Sequence, residues 1–291
     1  MRRREFITLL GGAATAWPLA TRAEQTEHMR RIGVLMSPDE DDPEGRTRAN
    51  LLRNSLRQLG WTEGHNIRID YRWARGDEAR ARAYAVELIR LTPDAIIANS
   101  TLCLKAVREE TSNIPIVFVI VGDPVGQGFV SSLAHPGGNI TGLTGFEFEI
   151  GGKWLELLKE VAPEVRRVVF MFNAEAGLPY AERIAQSISA AASARGVELV
   201  VRNPRDDTEI DHAIVGAASQ MDSGVIVNAD AFTIAKRGVI ISLISRYRLP
   251  AIYPFRYFAV NGGLMSYGID AADPFRRAAS YVDRRTLPNS N

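Results

Sequence analysis

Small polar residues and carboxylates follow the apolar runs of this sequence, where a buried strand would give way to a loop or a helix. Parallel strands bring their carboxyl ends to one edge of a sheet, and ligands bind there beside helix N-termini, which carry unpaired N–H groups and a partial positive charge. Ser100 and Thr101 at a helix start suit a carboxylate, and Asp123 or Asp230 suits an ammonium group. Each residue alone also fits an ordinary helix cap. The polar candidates for ligand contact are Ser37, Asn99, Ser100, Thr101, Gly122, Asp123, Asn173 and Asp230.

Aromatic residues form a second group of candidates, because they can wall a site for an apolar or aromatic ligand. Tyr253 and Tyr267 are the stronger ones, since they lie at the ends of predicted strands. Tyr257, Trp61 and Trp73 belong to the same group, although core packing explains the two tryptophans better. The two groups together predict a site that combines charged, polar and aromatic contacts.

Motifs of catalysis or cofactor binding are absent from the sequence. There is no G-x-S-x-G, no phosphate loop ending in Gly-Lys-Ser/Thr and no H-E-x-x-H. The four histidines have no His or Cys partner at metal-ligand spacing. The segment from Gly122 to Gly128 is rich in glycine but lacks the third glycine of a dinucleotide fingerprint. We therefore expect a binding protein rather than an enzyme, with no metal and no cofactor.

Strand and helix patterns alternate along most of the chain. Short continuous apolar runs predict strands buried on both faces, and helical periodicity follows most of them. Such alternation is typical of crossover units in a parallel sheet. Two successive series of similar size, joined near residues 143–150, predict an α/β fold of two doubly wound parallel-sheet lobes. The predicted strands lie at residues 31–36, 67–73, 94–98, 115–121, 140–145, 168–172, 197–201, 224–227 and 251–253.

Residues 1–23 have the features of an export signal. A basic start, a short apolar run and a small residue at Ala23 fit such a signal, and Arg3 and Arg4 before x-Phe-Ile resemble a twin-arginine signal. An ordinary N-terminal helix is the alternative, although Gly11, Gly12 and Pro18 would interrupt it. We expect a soluble protein in the periplasm after cleavage.

Composition and charge narrow the class of partner. The 291 residues carry a formal charge of +1, and removing residues 1–23 leaves −2, so no broad positive surface favours nucleic acid or an anionic membrane. With 46% hydrophobic residues the chain can bury substantial cores. The single cysteine, Cys103, excludes a disulfide within the chain, and we expect it to be a small buried side chain near a helix start.

Several longer segments resemble a known family. They are the leader 2–14 and residues 114–118, 122–125, 135–142, 251–253 and 262–268. They are similar to ABC-transporter substrate-binding proteins of the type I periplasmic-binding fold, in the branch that includes tryptophan-binding proteins. The resemblance implies a monomer that captures a small organic solute, such as an amino acid and including aromatic ones, and presents it to a membrane permease with its ATPase. It places ligand contacts around Ser37, Asn99 to Thr101, Asp123, Asn173, Asp230, Tyr253 and Tyr267.

The same resemblance divides the chain into an N-terminal lobe at residues 24–145, a C-terminal lobe at 146–262, and a hinge return with a helix on the N-terminal lobe at 263–291. In the family, a Gly-Glu-Lys-Pro-like linker, a strand and a helix then recross between the lobes. Residues 281–291 do not match that linker, so we expect the final crossing to be missing. A periplasmic sensing module that docks on a receptor remains an alternative function, and an α/β enzyme is a less favoured one.

Overall fold

Two α/β lobes make up the part of the protein that the computed structural model describes, residues 29–174 and 178–286. Each lobe contains a sheet of five parallel strands, which confirms the predicted fold class. The proposed export signal at residues 1–23 and residues 287–291 lie outside the described residues. Within the described ranges, no helix is both long enough and apolar enough to span a membrane.

The first lobe contains β1 (Arg30–Met36), α1 (Pro43–Gln58), β2 (Ile67–Trp73), α2 (Glu78–Arg90), β3 (Ala95–Asn99), α3 (Ser100–Glu110), β4 (Ile116–Val121) and β5 (Ile140–Thr144). The strand order is β2-β1-β3-β4-β5. The central strand β3 is buried along its whole length, as expected for a parallel strand covered by helices on both faces. Leu52 and Leu56 of α1 pack on one face of the sheet, while Leu88 of α2 and Leu104 of α3 pack on the other.

The second lobe contains α4 (Ile150–Val161), β6 (Arg167–Met171), α5 (Leu178–Ser193), β7 (Glu198–Arg202), α6 (Asp207–Ala218), β8 (Ser223–Val227), α7 (Ala231–Ala235), α8 (Arg237–Arg246), β9 (Ala251–Tyr253), α9 (Arg256–Val260) and β10 (Met265–Ser266). Its strand order is β10-β9-β8-β6-β7. Trp154 lies fully buried in this core, and its indole N–H donates to the carbonyl of Tyr267 at 2.8 Å. This hydrogen bond fixes the segment that follows β10.

The last described helix, α10 (Asp273–Thr286), returns to the first lobe. Phe275, Ala278 and Ala279 are buried against the same core as the apolar face of α1. The indole N–H of Trp61 also donates to the Asp283 carboxylate of this helix at 2.8 Å. Within residues 29–174 and 178–286, the chain therefore crosses between the lobes after β5 and again before α10.

Aspartate side chains cap the starts of several helices. Two of them, Asp42 and Asp230, cap α1 and α7, whose N-termini face the space between the lobes. Asp42 accepts a hydrogen bond from the N–H of Glu44 at the start of α1. Asp230 and Thr233 form a reciprocal capping box at the start of α7. Both aspartates lie beyond the carboxyl ends of the preceding strands, so the caps place charged groups at the edges where the sheets face each other.

Candidate functional site

A cavity of about 40 Å³ lies between the lobes, at the facing carboxyl edges of the two sheets. This is the position at which open α/β sheets bind ligands. Six of the residues predicted from the sequence line it: Ser37, Asn99, Ser100, Thr101, Gly122 and Asp230. The structure therefore brings these six small or polar residues together at one cavity, while their contact with a ligand stays a prediction.

Asn99 holds the first-lobe edge of the cavity together instead of capping α3. Its carboxamide oxygen accepts from the N–H of Ser37 at 3.4 Å, and its amide nitrogen donates to the carbonyl of Val119 at 3.3 Å. Its side chain makes no capping hydrogen bond to α3. Asn99 thus ties the ends of β1 and β4 to the end of β3 and positions the start of α3.

The start of α3 borders the cavity on the first lobe. The Ser100 hydroxyl is buried and has no nitrogen or oxygen partner among the described residues. Ser100 has a φ of 82°, and Ile120, on the neighbouring strand, has a φ of 58°. Such backbone conformations cost free energy for residues other than glycine and concentrate at functional sites. The strained backbone thus lies where the N-terminus of α3 borders the cavity.

Asp230 is the acidic group on the second-lobe side. Its carboxylate accepts hydrogen bonds from the backbone N–H groups of Thr233 at 2.9 Å and Asn173 at 3.0 Å, and from the Asn228 amide at 3.3 Å. Burial nevertheless raises the pKa of Asp230 to about 6, because desolvation outweighs these donors. The carboxamide oxygen of Asn228 lines the same cavity and accepts no hydrogen bond from the described residues. This side of the cavity therefore offers acceptors.

Arg48 of α1 also lines the cavity, and the sequence analysis missed it. Its side chain is buried, with its guanidinium 5.3 Å from the ring centre of Tyr257 and 6.0 Å from that of Phe255. The signal in the sequence is the spacing of Arg48, Leu52 and Leu56, which puts an arginine on the apolar stripe of a helix. The other lining residues that were not among the predicted contacts are Pro38, Ile120, Tyr180, Asn228, Ala229, Ala231, Ile234 and Phe255.

Ion pairs join the two lobes around the cavity. Both terminal guanidinium nitrogens of Arg237 donate to the Asp42 carboxylate, at 2.7 and 2.8 Å. Arg183 pairs with Asp123 on the other side. The ring of Tyr180 lies directly over Gly122, where an added Cβ would come within 2.5 Å of it. The lobes are therefore closed on each other, with a small polar space enclosed between them.

Four predicted contact residues lie outside the cavity lining. Asp123 pairs with Arg183 and accepts from the N–H of Gly126. The backbone N–H of Asn173 donates to the Asp230 carboxylate, and its side-chain amide donates to the carbonyl of Pro204. Tyr253 is 1% exposed in the second-lobe core, and Tyr267 is 45% exposed in a groove beside the hinge. A ligand contact by these residues stays a prediction.

The aromatic candidates Trp61 and Trp73 pack on the first-lobe core, away from the cavity lining. No group of three or more His, Cys, Asp or Glu side chains in the described ranges could hold a metal ion. Cys103 is buried in α3, and burial raises the pKa of its thiol to about 12. A thiol with such a pKa stays protonated at neutral pH.

Comparison with known proteins gives a relative in sequence and solved structures with the same fold. A tyrosine-binding protein of Clostridioides difficile strain R20291 is 26% identical over 216 residues, which are 74% of this chain and 61% of the relative, so the match spans less than two thirds of that protein. A conserved domain protein from Vibrio cholerae superposes with a TM-score of 0.78 at 24% identity, covering 89% and 88% of the two chains. An ABC domain in complex with L-Trp from Streptococcus pneumonia superposes with a TM-score of 0.79 at 20% identity, covering 88% and 84%.

The sequence identity of the two structural matches is low, so they establish the fold alone. Residues 41–285 match the family described as ABC transporter substrate binding protein, and this range includes every strand of both sheets except β1. The match agrees with two parallel-sheet lobes closed on a polar cavity. The chain belongs to the family of ABC transporter substrate-binding proteins.

Proposed function

We propose that this chain is the periplasmic solute-binding component of an ABC importer, and that it captures an amino acid or a related small organic solute between its lobes. One observation carries the proposal: groups that favour opposite charges face each other across the cavity. The N-terminus of α3, with Ser100 and Thr101, lies on the first lobe, and Asp230 with Asn228 lies on the second. A solute with a carboxylate and an ammonium group on one carbon would contact both.

An aromatic amino acid is within the proposed class, supported by the tyrosine-binding relative and the L-Trp complex. The cavity of about 40 Å³ holds only a few water molecules, far less than the several hundred Å³ of ordinary small-molecule sites. Arg48 and Phe255 separate the cavity from a groove of about 600 Å³, since both residues line both spaces. Movement of these two side chains would give an aromatic solute the necessary room.

Closure of the lobes is the proposed mechanism of capture. The solute would reach the facing edges in an open form and then favour the closed form, because only the closed form lets it contact both lobes. The ion pairs Asp42–Arg237 and Asp123–Arg183 stabilise the same closed form. Solute contacts add to this stabilisation, so the closed population rises with solute concentration.

Other features support the transport role. The twin-arginine-like leader supports export, and membership of the family supports a membrane permease and its ATPase as partners. The protein would act as a monomer that presents its solute without chemical change.

A thermal-shift screen of residues 24–291 against the common amino acids tests the proposal. A solute that binds only the folded protein stabilises it by about 2.7 kcal/mol at a hundredfold excess over its Kd, which raises Tm by several degrees. We expect at least one amino acid to give such a shift, and Asn228→Ala to reduce it. Asn113→Ala, an exposed amide on the first lobe, is the matched control. Absence of a shift with every amino acid would refute the proposal.

A further inference from the structure

Arg48 is a buried cation with no carboxylate partner among the described residues. It is 3% exposed, and its Nε and Nη2 atoms make no hydrogen bond with the described residues. It forms no ion pair within 4 Å across residues 29–174 and 178–286, unlike Arg237 nearby, which Asp42 neutralises. A buried arginine normally has a carboxylate partner, because removing a cation from water is costly.

The residues around Arg48 offset only part of the free energy that removing its guanidinium from water costs. The rings of Tyr257 and Phe255 lie 5.3 and 6.0 Å from the guanidinium and attract it through their π faces. Such contacts are weaker than a bidentate pair with a carboxylate. Two acidic groups beside the cavity are engaged elsewhere: Asp42 binds Arg237, and Asp230 accepts three hydrogen bonds from its own lobe. Glu44, one turn before Arg48 on α1, shares a groove with it but forms no ion pair with it within 4 Å.

The unpaired nitrogens belong to a side chain that lines the cavity together with the buried hydroxyl of Ser100. A cation, a hydroxyl and a helix N-terminus at one small space all favour the same ligand group, an anion with several acceptor oxygens. Arg48 and Ser100 line this one cavity of about 40 Å³, so a carboxylate bound there would face both groups.

We propose that Arg48 receives the carboxylate of the solute and makes the site selective for carboxylates over neutral solutes such as sugars. The proposal rests on the solute-binding function proposed above and deepens it. A neutral solute would close the cavity over an unpaired guanidinium, whereas a carboxylate completes the pair. Without solute, the same guanidinium destabilises the closed protein.

Matched ligands and variants test the proposal. L-tyrosine and L-tryptophan are titrated beside their carboxamides and glucose, into the wild type, Arg48→Met and Arg48→Lys. Arg53→Met is the control, since Arg53 also lies on α1 over a tyrosine ring but is exposed and paired with Glu63. Titration calorimetry gives the affinities, and thermal unfolding without ligand gives the stabilities.

We expect Arg48→Met to weaken binding of the carboxylate by roughly thirtyfold or more, the lower bound for truncating one partner of a buried ion pair. Binding of the carboxamide should change less than threefold. Arg48→Lys should restore part of the carboxylate affinity, because lysine keeps the positive charge but lacks the two-point hydrogen-bonding geometry of the guanidinium. Unliganded Arg48→Met should melt at the wild-type temperature or above it, which a merely structural arginine would not allow. Arg53→Met should leave all affinities unchanged.

Equal losses for carboxylate and carboxamide in Arg48→Met would overturn this inference and leave solute binding standing. So would wild-type affinity for glucose or a carboxamide equal to that for the carboxylate. If Arg48→Met does not fold, the inference is refuted, because the arginine then stabilises the empty protein. If the wild type binds none of the probes and no other amino acid, the proposed function fails together with this inference.

Discussion

Asp42 and Arg237 form a two-point ion pair across the cleft, with contacts of 2.7 and 2.8 Å between the Asp42 carboxylate and the guanidinium. Asp42 precedes α1 on the first lobe, and Arg237 begins α8 on the second. Their side chains are 7% and 16% exposed, so solvent screens the pair only weakly. Closure of the lobes is therefore stabilised by this ion pair as well as by packing.

The substitution Asp42→Asn should shift the protein toward an open form. Asn keeps the cap on α1, since Asn and Asp cap helices equally well, but it leaves Arg237 without a countercharge in the closed form. We expect the closed form to lose roughly 2–5 kcal/mol relative to the open form. Small-angle X-ray scattering without solute would measure the change as a larger radius of gyration.

A matched control for this prediction is Asp207→Asn, which removes an exposed ion pair with Lys236 inside the second lobe. The radius of gyration should not change in the control, because both partners stay on one lobe. If Asp42→Asn is as compact as the wild type, the ion pair does not contribute to closure.

The substitution Gly122→Ala should hinder closure by steric contact. The added Cβ would lie 2.5 Å from the Cδ1 atom of Tyr180, whose hydroxyl is held by the carbonyl of Phe146 at 3.0 Å. Overpacking of this kind costs about 1–3 kcal/mol, so solute affinity should fall roughly tenfold while each lobe remains folded. Calorimetric titration measures the loss. Gly216→Ala, at an exposed position of α6 with open space around it, should bind normally.

The raised pKa of Asp230 predicts a pH-dependent contribution to stability. Its pKa is about 6 in the folded protein, against an ordinary value near 4, so the folded state holds the proton more tightly between those values. The contribution of this group therefore falls as pH rises from about 4 to 6, by about 3 kcal/mol in total. Denaturant unfolding across this range should show Asp230→Asn gaining stability relative to the wild type as pH rises. Parallel profiles would contradict the assignment.

Solute affinity should change in the opposite direction across the same range. An ammonium group beside Asp230 needs the ionised carboxylate, so the affinity for an amino acid should decrease as pH falls below about 6. Titrations at several pH values test this directly, and Asp230→Asn should abolish the dependence. An affinity that stays constant between pH 4 and 7 would show that the ammonium group of the solute does not contact Asp230.

Cys103 should be unreactive in the folded protein. It is fully buried, and its thiol pKa of about 12 leaves almost no thiolate at neutral pH. A thiol reagent such as dithionitrobenzoate should therefore label the cysteine only after unfolding. Rapid labelling of the native protein would show that α3 opens far more readily than its packing implies.

Most strands were predictable because they are continuous apolar runs that end at a small or polar residue, and β2 was predictable from its alternating pattern, whereas the two-residue strand β10 was not predicted. β2 was predicted at its observed bounds, and the predicted start of β1 differs from the observed one by one residue. Parallel topology then places the strand ends at common edges, which is how the sequence located Ser37, Asn99 and Asp230 at one cavity.

The remaining site residues depend on contacts that no local pattern contains. Asp123 was predicted as an ammonium partner, but Arg183, sixty residues away, pairs with it. The ring of Tyr253 packs on Phe258 in the second-lobe core, because all three residues of β9 are buried and the end of this strand does not open onto the cavity. The importance of Arg48 depends on Phe255 and Tyr257, which reach it only when the lobes meet.

The central claim is that one solute contacts both lobes in this cavity. Calorimetric titration of the amino acid that gives the largest thermal shift tests it most directly, using the wild type, Ser100→Ala and Asp230→Asn at pH 7. We predict binding of one solute per chain and a loss of roughly tenfold or more in each variant, because each removes a contact from a different lobe. Unchanged affinity in both variants would contradict the account.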